Sequence, residues 1–98
     1  MNNFIFSEEK IKNLGKHYGI AFLGIFGSYA HGDYTSRSDL DLLVKFSSRK
    51  GLLEMVGIER SMSQDLGIKV DLLTEQALSP YLKDRIMKDL KVVYDDQR

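Results

Sequence analysis

The chain has 98 residues, 43% hydrophobic and 29% charged, which is the size and composition of one ordinary globular domain spanning 1–98. Fourteen basic and fourteen acidic residues cancel, so a strongly nucleic-acid-binding surface is not expected. There is no cysteine, which excludes disulfides and thiolate-held zinc.

Residues 1–9 lack the basic start and long apolar stretch of a signal peptide. The longest apolar run, 20–26, is too short to cross a bilayer. A cytoplasmic protein without a membrane partner is the expectation.

Ser7 reads as an N-cap with Glu8 and Glu9 in the first turn of a helix over 8–18, ended by Gly19. Phe6 before the cap and Ile11 after it fit a hydrophobic staple. Residues 20–26 form a continuous apolar run between two glycines, which suits a buried strand. One or two helical turns over 28–31 precede Gly32, and 33–38 is a polar loop. A central strand is predicted over 39–46, followed by a basic turn at 47–51. Apolar positions 52, 55, 56, 62 and 66 recur at helical spacing before Gly67. A short strand at 69–73, a helix at 78–90 with Pro80 in its first turn, and a short edge strand at 92–94 complete the chain. This order of elements predicts an α/β sandwich.

The stretch 27–41 carries the chemistry. It opens with Gly27 and Ser28 directly after an apolar strand and closes with Asp39, Leu40 and Asp41. Side chains alternate along a strand, so Asp39 and Asp41 share a face. Two neighbouring carboxylates repel unless a cation lies between them, and magnesium suits such hard oxygen ligands. A glycine-serine turn entering a short helix offers backbone N–H groups to an anion. Asp71 lies within another predicted strand, where aspartate is depleted. Taken alone, each aspartate is also compatible with a solvated strand position. Together the three supply the ligands of a two-metal phosphoryl or nucleotidyl transfer.

Gly27-Ser28, ten residues, then Asp39-Leu40-Asp41 resembles the signature of the DNA polymerase β-type nucleotidyltransferase superfamily. The short length and the wording of 27–33 and 38–44 resemble the minimal nucleotidyltransferases (MNT), antitoxin partners of HEPN toxins. The resemblance covers nearly the whole chain and implies a nucleotidyltransferase fold, a small mixed β-sheet packed against helices. It implies that Gly27 and Ser28 hold the β- and γ-phosphates of ATP. Asp39 and Asp41 would bind two Mg2+ ions, and Asp71 the ion that activates the acceptor hydroxyl. The implied reaction moves AMP from ATP to a tyrosine of a cognate HEPN toxin, in a homo- or hetero-oligomer.

His31 stands where many members have arginine, which bears on triphosphate affinity and its pH dependence. Arg37 and Lys45 are substitutes by charge, and each also reads as an ordinary solvated side chain. His17 reads as a surface helix residue, and the methionines and most aromatics as core. Two other functions stay open: an antitoxin that only occludes its toxin, and nucleotidyl transfer to a small molecule such as an aminoglycoside. The absence of an accessory domain in so short a chain favours a protein acceptor that completes the site.

Overall fold

The computed structural model describes residues 7–96. Ser7 starts helix α1 (Glu8–His17), its side chain accepting from the Lys10 N–H at 3.1 Å. The staple partner Phe6 lies outside the described residues. Ile11, fully buried, is the anchor that α1 drops onto the sheet. Strand β1 (Ile20–Phe26) follows, then the single helical turn α2 (Ser28–His31) and strand β2 (Leu40–Phe46). Helix α3 (Leu52–Leu66) leads to strand β3 (Val70–Thr74). A 3-10 turn (Glu75–Ala77), helix α4 (Pro80–Asp89) and strand β4 (Lys91–Asp95) end the order.

The strands make one mixed sheet in the order β3-β2-β1-β4. β1 runs antiparallel to both β2 and β4, whereas β2 and β3 are parallel. Parallel neighbours need a crossover connection, and α3 supplies it. The fold is thus the α/β arrangement expected, with β2 central and β4 at an edge.

Strand alternation sorts the two faces. Leu40, Leu42 and Val44 of β2 join Leu23, Ile25, Val70 and Leu72 on one face, packed with Ile11, Met62 and Leu66 from the helices above. The opposite face carries Asp41, Leu43 and Lys45 in a row, flanked by Asp71 and Leu73. There Leu90 sits over Gly24, where a Cβ would approach it to 2.7 Å. The core face is tied at its far side by Tyr94, whose hydroxyl donates to the Ile20 carbonyl at 2.6 Å. Burial pushes that phenol up to about 12.

The outer edge of β3 is closed by side chains of α3. Ser63 Oγ accepts the Val70 N–H at 2.9 Å and donates to the Glu59 carbonyl at 2.8 Å. Glu59 Oε2 accepts the Leu72 N–H at 2.8 Å. The helix therefore satisfies donors that an edge strand would otherwise leave open.

Three expectations are corrected. The second strand begins at Leu40, leaving Asp39 one residue ahead of it, and the third runs from Val70 to Thr74. The apolar positions of α3 are not all core: Leu52 is 76% exposed and Val56 46% exposed. A fifteen-residue helix is about 22 Å long, against about 17 Å for a five-residue strand, so its first turns run past β3. Met87 and Tyr81 of α4 are likewise exposed rather than core, and only Ile86 of that helix is buried.

Removing Glu59 strands the Leu72 N–H at the sheet edge. Glu59→Ala should lower the free energy of urea unfolding by about 1–3 kcal/mol. Glu59→Gln keeps an acceptor oxygen and should lose less than half as much.

Candidate active site

The register of β2 on β3 decides the site. Asp41 lies directly opposite Asp71, and Leu40 opposite Val70. Parallel neighbours in register point their side chains the same way, so the two carboxylates share the face that α1 and α3 leave uncovered. Asp39 precedes β2 by one residue and joins them electrostatically. Burial first, then repulsion from Asp71 and Asp39 and a side-chain hydrogen bond with Asp71, push the Asp41 carboxyl up to about 6.

Gly27 closes the other side. It follows Phe26, which pairs with Asp41 across the β1–β2 ladder. Its backbone lies at φ 75° and ψ −151°, a conformation that side chains resist. A Cβ at Gly27 would collide with Asp41 Oδ2 and lie 3.3 Å from Asp41 Cγ. The turn and the carboxylate therefore touch only because residue 27 has no side chain. Ser28 opens α2, whose N-cap Gly27 contributes no capping side chain.

The loop joining this turn to Asp39 is well braced. The rings of Tyr29 and Tyr34 stack 4.4 Å apart and 8° from parallel. Thr35 N–H donates to Ser38 Oγ at 2.8 Å, and Ser38 N–H to the Thr35 carbonyl at 3.1 Å. These bonds deliver Asp39 to the start of β2 in a defined pose.

His31, the last residue of α2, pairs with Asp89 at the end of α4 at 3.2 Å. Arg37 is exposed in the loop turn, and Lys45 lies 3.9 Å from Glu75. His17 is exposed on α1, as expected of a surface position. Lys69 had no assigned role in the sequence, yet its Nζ lies 3.8 Å from Asp39 and 3.9 Å from Asp71. Glu59 and Ser63, which hold the β3 edge, were also missed. Their only trace in the sequence is a helical i, i+4 spacing beside buried Met62 and Leu66.

Three carboxylates are hard oxygen donors, and their mutual repulsion at Asp41 is the excess negative charge that a divalent cation relieves. The donor set fits such an ion. The fit is one of donor chemistry: among the described residues no three His, Cys, Asp or Glu side chains are gathered into a ready metal-holding group. A concavity of about 670 Å³ lies at the far end of the strands, lined by Lys45, Arg49, Lys50 and Glu75, and includes none of the three aspartates.

The Asp41 shift has a definite sign. Its folded value, about 6, lies above the ordinary 3.8, so the ionised carboxylate opposes folding above about pH 6 and has no effect below about pH 4. Asp41→Asn should stabilise the metal-free protein near pH 7.5 by about 1 kcal/mol, after discounting for solvent. That gain should fade as denaturation is repeated between about pH 6 and pH 4. Gly27→Ala adds both a strained backbone and the clash with Asp41, and should cost about 1–3 kcal/mol in the same measurement.

Residues 9–98 match the family described as Polymerase beta, Nucleotidyltransferase. A Methanocaldococcus jannaschii protein, provisionally named a protein adenylyltransferase, is 40% identical over 72 residues, 74% of this chain and 77% of that one. The protein adenylyltransferase MntA of Thermococcus cleftensis is 32% identical over 83 residues, 85% of this chain and 82% of its own. In three dimensions the chain is similar to one in a complex of tri-AMPylated Shewanella oneidensis HEPN toxin with MNT antitoxin. The TM-score is 0.71 at 21% identity, covering 92% of this chain and 71% of that one, a likeness of fold. With its mixed sheet and the turn at Gly27 and Ser28 set against Asp41, this chain belongs to the polymerase β-type nucleotidyltransferases, in their minimal nucleotidyltransferase family.

Proposed function

We propose that this protein is a metal-dependent protein adenylyltransferase that moves AMP from ATP to a tyrosine hydroxyl of a cognate HEPN toxin, and so acts as its antitoxin. The meeting of Asp39, Asp41 and Asp71 beside the turn at Gly27 and Ser28 carries this assignment. The relatives named protein adenylyltransferase and the fold shared with a toxin–antitoxin complex support the acceptor.

Gly27 and Ser28 would hold the β- and γ-phosphates. Asp39 and Asp41 would hold two Mg2+ ions, and Asp71 the one beside the acceptor. When bound, these ions neutralise the triphosphate and lower the pKa of the acceptor hydroxyl. The acceptor oxygen gives its proton to solvent water and bonds to the α-phosphorus as the bond from that phosphorus to the oxygen bridging to the β-phosphorus breaks, releasing pyrophosphate. The chain's own residues contribute position. Asp41 is fixed by β2, Asp71 by the clamp from Glu59 and Ser63, and the phosphate turn by its contact with Asp41. The side chains of Asp39 and Asp71 stay 39% and 37% exposed, so the cluster is reachable from solvent.

Incubating the protein and its partner toxin with ATP labelled at the α-phosphate should label the toxin. Asp39→Asn, Asp41→Asn and Asp71→Asn should each reduce labelling by about 100-fold or more. Labelling unchanged in these variants overturns the catalytic assignment. Toxin neutralised equally well by them identifies occlusion instead, and label found only on small acceptors identifies the third reading.

A further inference from the structure

We infer that Lys69 is a built-in counter-ion of the acidic cluster, occupying the cation's role in the metal-free protein and yielding it when a divalent ion enters. This rests on the reading of Asp39, Asp41 and Asp71 as the metal-holding set.

Lys69 is the residue immediately before β3, and its backbone is anchored. Its carbonyl accepts the Leu40 N–H at 2.8 Å, at the point where β2 and β3 first pair. That bond places the root of the lysine between Asp39, just ahead of β2, and Asp71 on β3. The ammonium then reaches one oxygen of each, at 3.8 and 3.9 Å. Among the described residues no cation pairs with Asp41, the remaining member.

A lone exposed ion pair contributes little to stability. This ammonium differs in bridging two carboxylates that each repel a third, Asp41. One positive charge does not balance three negative ones, so the cluster keeps an appetite for a divalent ion. Two cations sharing that space repel, at a cost that grows as solvent is excluded. The lysine is able to withdraw: its side chain is 69% exposed and rides on a flexible four-carbon stem. Lys69 thereby keeps the empty cluster in place while setting the ion concentration at which it fills.

The test uses the nucleotide-free protein and Mn2+ at low ionic strength. Free Mn2+ is read by electron paramagnetic resonance, and melting is followed in chelator and at saturating Mn2+. Lys69→Met should bind Mn2+ about three- to tenfold more tightly, since it removes a competing charge. Lys69→Arg, which keeps the charge, should stay within about twofold of the unsubstituted protein. In chelator Lys69→Met should melt below the unsubstituted protein, and saturating Mn2+ should abolish that deficit. Unchanged or weaker Mn2+ binding by Lys69→Met overturns the inference, as does a melting deficit that Mn2+ leaves intact. Asp41→Asn separates the two levels. If it abolishes Mn2+ binding while Lys69→Met changes nothing, only the role of Lys69 falls. If it binds Mn2+ like the unsubstituted protein, the metal-site reading falls and Lys69 falls with it.

Discussion

The pairing of β2 with β3 is the constraint on which the site depends. Only in this parallel register does Asp41 meet Asp71, because side chains alternate and a slip of one residue would send Asp71 to the core face. The register is defended from both sides. Leu40, Leu42, Val70 and Leu72 bury their side chains on the opposite face, and a slip would expose them to water. From the edge, Ser63 and Glu59 bond alternate amides of β3, so the strand is gripped by a helix as well as by its neighbour. Core packing and a polar clamp therefore specify the same alignment.

A cluster assembled this way holds like charges together against their repulsion. Hydrophobic burial on one face of the sheet sustains that strain on the other, which is why the strain collects at Asp41, the carboxylate whose burial is the largest cause of its shift. The same crowding explains the glycine at 27. With any side chain there, the turn would have to back away from Asp41. Their contact joins β1 to β2 at the mouth of the site. Lys69 softens the repulsion without ending it, a state suited to taking up a more highly charged ion.

The rest of the surface is not uniformly polar. The first turns of α3 carry Leu52, Leu53 and Val56 into solvent, because the helix is longer than the strand it packs on. They lie beyond the far end of β2 from the aspartates.

Much of this was legible from residues alone. The apolar run at 20–26, the capping at Ser7, and the glycines that stop α2 and α3 are local signals, set by backbone and side-chain chemistry within a few residues. The spacing of Gly27 and Ser28 to Asp39 and Asp41 also survives as text, since one helical turn and one loop hold it. Partnerships across the sheet are not local. That Asp71 faces Asp41, that Lys69 spans two aspartates, that Glu59 feeds an amide of β3 and that half the apolar stripe of α3 stays wet depend on strand order, register and the relative lengths of elements. Sequence determined which segments are helix or strand and which side chains carry charge. Tertiary structure alone decided which of those charges meet, because electrostatic force acts across space between strands that the chain separates by thirty residues.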